Sequence, residues 1–106
     1  METLKFAVMK FDVGMNITVR DGTKWATRVK PGDKVILAGL NDEPEQRGII
    51  HALYITQFWA IPAYMYEFEH DPACRTYPGL KTIMEGLYPG FNDDSIVTAI
   101  MFVMGG

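Results

Sequence analysis

Residues 48–59, GIIHALYITQFW, carry β-branched and aromatic side chains along most of their length and contain no proline. Such side chains fit a pleated, buried surface, so this stretch predicts the central strand of a sheet. Residues 95–104, SIVTAIMFVM, are apolar at nearly every position and predict a final strand buried on both faces. Upstream, the turn Pro31-Gly32-Asp33 leads into Lys34-Val35-Ile36-Leu37, which reads as a strand entering the core. Asn16 to Arg20, NITVR, predicts another, and Leu4, Phe6 and Val8 alternate with Thr3, Lys5 and Ala7 as in a half-buried strand.

The connections follow from turn and helix chemistry. Asp12 and Gly14 mark a turn, and Asp21-Gly22 supplies a tighter one. Lys24 to Val29 reads equally as a short helical turn or an extended return. Asn41 to Gly48 is polar, contains Pro44 and predicts a surface loop. Pro62 is placed to start a short helix through Tyr64 and Phe68, whereas His70 to Pro78 is broken by Pro72 and Pro78. Leu80, Ile83, Met84 and Leu87 recur at helical spacing, predicting an amphipathic helix from Gly79 to Leu87 that Tyr88-Pro89-Gly90 ends. The expected class is α+β: a curled sheet or small β-barrel of about five to six strands with one or two short helices, because curling leaves fewer exposed edges. A ferredoxin-like sandwich would need two longer helices.

A chain of 106 residues is expected to form a single domain over residues 1–106, since half of it could not bury a core. With 48% hydrophobic and 22% charged residues, its composition is that of a folded domain and not of a disordered chain. The formal charge of −3 excludes a protein coated in positive charge, so a nucleic-acid footprint would have to be local. Arg20, Lys24, Arg28, Lys30 and Lys34 supply such a cluster, opposed within it by Asp21 and Asp33. Acidic residues gather at Asp42, Glu43 and Glu45, at Glu67, Glu69 and Asp71, and at Asp93 and Asp94. The lone Cys74 excludes an internal disulfide and fits a reducing compartment. No run reaches the roughly 20 apolar residues that span a bilayer, and the first residues lack the pattern of a secretory signal. The expected location is the cytoplasm, with no membrane partner.

The order of elements resembles the ASCH family, a branch of the PUA-like barrels, over nearly the whole chain. The matching pieces are Gly14-Met15-Asn16-Ile17-Thr18-Val19-Arg20, Lys30-Pro31-Gly32-Asp33-Lys34-Val35, the helix ending in Leu87-Tyr88-Pro89-Gly90, and the strand around Val97 to Phe102. The family signature runs glycine, a lysine two residues on, and a T-x-R or E-x-R pair. Thr18-Val19-Arg20 fits that pair, while Asn16 stands at the lysine position and Gly14 lies one residue too close. A second register on Gly22-Thr23-Lys24 recovers a lysine but loses the T-x-R spacing. The resemblance implies a small PUA-like β-barrel that binds a nucleic acid, RNA above all, or a nucleotide-like ligand. Some bacterial relatives are acetylcytidine amidohydrolases using that lysine, the threonine and a glutamate on the later helix. Here the glutamate position falls near Gly79, and the helix offers Glu85 instead.

Arg20 is the first ligand-binding candidate, because a guanidinium grips a phosphate or base edge through two parallel hydrogen bonds; its structural alternative is a pair with Asp21 or Asp33. Lys24, Arg28 and Lys30 would extend a positive rim, with Trp25 either stacking on a base or buried in the core. Asn16 and Thr18 would present hydrogen-bonding groups to a base or ribose, or serve turn and strand. Tyr88 would line the same cleft or act as a packing lid. A hydrolase reading would use Lys24 with Glu85, Glu69 or Glu67 as proton carrier. A third reading is a phage-type factor that occupies a protein partner through its acidic surface. His70 and Cys74 are four apart, but Pro72 lies between them and no second pair completes a tetrahedral site, so no metal is expected. His51 is expected to be packed or at an edge. The only serine is Ser95, no nucleophile with its base is evident, and phosphate-binding glycine loops are missing. No cofactor is expected.

Overall fold

The computed structural model describes residues 1–105. Its strands are β1 (Thr3–Phe6), β2 (Met15–Asp21), β3 (Lys34–Gly39), β4 (Gln46–Gln57) and β5 (Ile96–Met104), and its α-helices are α1 (Lys24–Arg28) and α2 (Tyr77–Leu87). The five strands form one mixed sheet in the order β1-β3-β4-β5-β2. β1 runs parallel to β3, and the remaining ladders are antiparallel. The strand predicted to be central, β4, does occupy the middle. Among the described residues no helix is long and apolar enough to cross a membrane.

Each face of the sheet carries its own core. Val97 and Ala99 of β5 join Ile17 and Val19 of β2, Phe58, Met65, Leu80 and Met84 on the face covered by α2. Ile100 and Phe102 point the other way, joining Leu4, Phe6, Val35, Leu37 and Ile50. β5 is therefore buried on both faces along its centre, as its nearly continuous apolar run predicts. In β2 only one face is apolar. Asn16, Thr18 and Arg20 sit opposite Phe102, Ile100 and Thr98, which turns a polar stripe toward the second core.

The sheet is rolled. Four spacings of about 4.8 Å would set the edges of a flat five-strand sheet about 19 Å apart. Instead Nη2 of Arg20, on edge strand β2, donates to the Lys5 carbonyl of edge strand β1 at 2.8 Å. No ladder joins β1 to β2 among the described residues, so a side chain bridges the seam where a closed barrel would have backbone pairing. The outer edge of β2 is taken instead by a later segment: Ile17 bridges Glu69 in parallel, and its carbonyl accepts from the His70 amide at 3.1 Å.

Several boundaries differ from expectation. β1 ends at Phe6, so Val8 falls outside the strand predicted to include it. β4 begins at Gln46, inside the predicted loop, because Gln46 and Arg47 pair with Leu37 and Ile36. It stops at Gln57, where the chain tightens into a 3₁₀ turn, Phe58–Ala60, that buries Phe58 against the rings of Tyr77 and Phe91. His51 is a bulge: the register shifts between Ile50 and Ala52, leaving the histidine exposed and not packed. The segment after Pro62 is 3₁₀ over Ala63–Phe68, and the ambiguous stretch from Lys24 is helical.

α2 starts two residues earlier than predicted, at Tyr77, with Pro78 in its first turn. A proline costs nothing there, since that N–H has no helical partner. The Thr76 hydroxyl caps the end by accepting from the Gly79 amide at 3.1 Å. Gly79 is required by close approach: a Cβ would stand 2.2 Å from the Ala73 carbonyl oxygen. Gly32, at φ 93°, makes the turn into β3 that its dipeptide predicts.

α2 is also tied to the loop before β5. The Tyr77 hydroxyl donates to Asp93, and the Lys81 ammonium lies 3.1 Å from the same carboxylate. The hydrogen bond from Tyr77, then that from Lys81, holds the Asp93 carboxyl below its ordinary range. The same bond, helped by desolvation and nearby acids, pushes the Tyr77 phenol up to about 12. A carboxyl made more acidic by folding adds stability above its unfolded value of about 3.9 and loses it as pH falls through the folded value. A phenol made less acidic adds stability below its unfolded value near 10 and loses it as pH rises toward about 12. Asp93→Asn is therefore expected to flatten both limbs of a plot of urea midpoint against pH. Unchanged limbs would show that this cluster does not couple to folding.

Candidate nucleobase cleft

A cleft of about 230 Å³ opens beside the seam between β1 and β2. One wall comes from the end of β1 and the residues after it, Lys5 to Val8, and from Thr18 to Arg20 of β2. The opposite wall comes from α2, through Leu80, Ile83, Met84 and Leu87, and from Tyr88 just beyond it. Glu69, His70 and Asp71 close one side because backbone pairing docks them on the edge of β2. The lining is mostly apolar with a few converging polar groups, the usual character of a small-molecule site.

Arg20 is the most constrained of those groups. Its Nε donates to the Thr18 hydroxyl at 3.1 Å and its Nη2 to the Lys5 carbonyl at 2.8 Å. The guanidinium carbon lies 4.8 Å from the centre of the Phe6 ring. Of five guanidinium N–H bonds, two are used in these contacts, leaving three to offer a ligand. Burial lowers the pKa of Arg20, and the facing Tyr88 and Glu69 oppose that shift. Neither Asp21 nor Asp33 pairs with it, contrary to the structural alternative.

Glu69 is only 3% exposed. Its Oε1 accepts from the Asp71 amide at 3.2 Å and lies 2.6 Å from His70 Nδ1, out of line for a hydrogen bond. The His70 ring is stacked on Phe11 and meets Phe6 edge-on. Cys74 also lines the cleft, but burial, reinforced by Glu69 and Asp71, pushes its thiol up to about 12, so it is no activated nucleophile. Among the described residues no three His, Cys, Asp or Glu side chains are grouped to hold a metal.

Of the residues singled out in the sequence, the ligand-binding candidates Thr18, Arg20 and Tyr88 come together here, with Glu69, one of the carboxylates considered as a proton carrier. Asn16 does not. It is fully buried, accepting from the Asp12 amide at 2.8 Å and donating to the carbonyls of Asp12 and Gly14, so its side chain staples the turn before β2. The single basic opening expected from Arg20 through Lys30 is also not formed. The turn at Gly22 ends β2, and α1 carries Lys24, Trp25 and Arg28 away; none of these, nor Lys30, lines the cleft. Trp25 packs partly buried against the Leu4–Phe102 core, with the Arg28 guanidinium 5.2 Å from its ring. Arg28 and Lys34 border a separate shallow depression shared with Glu2 and Asp33. Lys24 and Glu85, the paired hydrolase candidates, are both exposed and do not meet at the cleft.

The fold itself has counterparts. The crystal structure of a protein from Enterococcus faecalis V583, described by the family model DUF984, matches with a TM-score of 0.61 at 11% identity, over 87% of this chain and 61% of that one. The ASCH domain from Lactobacillus crispatus JV V101 matches with a TM-score of 0.57 at 8% identity, over 84% of this chain and 63% of that one. The chain thus spans about three-fifths of the length of each. No family model matches the sequence, and no curated protein does. The protein has an ASCH-like α+β fold: a five-strand mixed sheet with short helices.

Proposed function

We propose that the cleft binds a nucleobase-containing ligand, a nucleoside or nucleotide, with Arg20 as its principal hydrogen-bond donor and Tyr88 as a flanking ring. The observation that carries this reading is the fixed guanidinium in a mostly apolar cleft. Two of its N–H bonds lock its plane to Thr18 and Lys5, so the directions of the remaining donors are fixed before a ligand arrives. Apolar walls from α2 and from Phe6 suit the faces of a flat heterocycle, and the volume is that of a small ligand. The ASCH-like fold agrees with this class of ligand by analogy. An extended RNA strand is less well served, because the basic residues of α1 and the following turn lie away from the cleft.

Titrating the isotopically labelled protein with the four ribonucleosides, followed by amide chemical shifts, tests this reading. The expected shifts map to Phe6, Thr18, Arg20, Glu69, His70 and Tyr88, with Lys24 to Lys30 unmoved. Shifts confined to α1, or none at saturating nucleoside, would overturn it.

A further inference from the structure

We infer that the cleft selects an uncharged ligand, a nucleoside or free base in preference to its phosphorylated form, and that Glu69 sets this selectivity. The inference rests on the cleft reading above and specifies the ligand within it. The residues lining the cleft include two cations, Lys5 and Arg20, and two carboxylates, Glu69 and Asp71, with the His70 imidazole against Glu69. An anion entering to meet Arg20 must therefore approach two carboxylates, one of them almost wholly removed from water. The one ion-pair contact of Glu69 among the described residues is with the His70 imidazole, at 2.6 Å, and no lysine or arginine reaches it.

The same carboxylate is short of donors. Two carboxylate oxygens offer about four acceptor positions. Among the described residues Glu69 Oε1 receives the Asp71 amide and touches His70 Nδ1 at 2.6 Å, whereas no hydrogen bond reaches Oε2. An acceptor oxygen without a protein donor, in a cleft that a ligand would dry, favours a ligand that brings an N–H or O–H of its own. Arg20, on the adjoining β2 wall, favours a ligand that brings a carbonyl or ring nitrogen. Together they describe an edge with a donor beside an acceptor, as on the amide or amino-imine edge of a base, and not a phosphate, which at neutral pH offers chiefly acceptors.

The experiment is a calorimetric titration of the wild-type protein with each ribonucleoside and its 5′-monophosphate, repeated on Glu69→Gln. The wild type is expected to bind the best nucleoside about tenfold more tightly than its monophosphate, a modest penalty for like charges brought together. In Glu69→Gln that gap should shrink to about threefold or less, because the amide keeps the shape and removes the charge. Equal or tighter binding of the monophosphate by the wild type overturns the inference while leaving the cleft reading intact. A gap unchanged in a folded Glu69→Gln protein overturns the role of Glu69. If Glu69→Gln fails to fold, the wild-type comparison still decides the selectivity, and Asp71→Asn tests whether neutralising the cleft's other carboxylate narrows the gap. Failure of every nucleoside and monophosphate to bind removes the cleft reading and this inference with it.

Discussion

Phe102→Ala is expected to destabilise the protein by about 3–5 kcal/mol, the range for emptying a buried phenylalanine site. Phe102 is fully buried on β5, a strand hydrogen-bonded on both sides, to β4 and to β2. Its ring lies 6.0 Å from that of Phe6 and 5.8 Å from that of Phe11, and it packs over the backbone at Gly48, where a Cβ would come within 3.4 Å. The neighbouring backbone is held by two ladders, so it cannot collapse into the space left behind. Small domains keep only about 5–15 kcal/mol of net stability, so one such cavity removes a large fraction of it. Urea denaturation checks the figure, and a loss below about 1 kcal/mol would mean that this core is not close-packed. The effect should reach the cleft as well. Phe6, which Phe102 supports from within, is the ring beneath the Arg20 guanidinium.

The strands were legible because their signal is local. β4 and β5 need long buried surfaces, and β-branched and aromatic runs supply them wherever the sheet places those strands. The turns at Gly22, Gly32 and Gly90 have positive φ, which the Asp-Gly and Pro-Gly dipeptides announce. Half of the cleft was legible in the same way: Thr18 and Arg20 share one face of an alternating strand, and Tyr88 follows the helix that covers the opposite wall. The other half was not. Glu67 and Glu69 are both candidate proton carriers in sequence, and nothing in the acidic run with Asp71 marks Glu69 as the buried one; it is buried because its segment pairs with the edge of β2. That pairing joins residues about fifty apart in the chain, which no window of sequence contains. The expected basic rim failed for a related reason. Arg20 and Lys24 are near neighbours along the chain, but a strand ends and a helix begins between them.

Arg20→Ala is expected to weaken nucleoside binding by about tenfold to a hundredfold, since charge-assisted hydrogen bonds contribute about 1.5–3 kcal/mol when made to a desolvated partner. It should also cost about 1–2 kcal/mol of stability, because the contacts to Lys5 and Thr18 that span the seam disappear, with water replacing part of the exposed one. Arg20→Lys separates the two roles. A lysine keeps the charge near the seam but lacks the planar fork, and it cannot hold Thr18 and Lys5 while offering parallel donors to a base edge. Stability should recover in part, whereas affinity should stay at least about tenfold below wild type. Calorimetry and urea denaturation on the same two variants supply both readings. Full affinity in Arg20→Ala would leave Arg20 as a seam residue alone. Full affinity in Arg20→Lys would mean that the ligand responds to charge and not to the directed N–H bonds. The predicted outcome, partial structural rescue without functional rescue, follows from one guanidinium spending two donors on the fold and keeping others for a ligand.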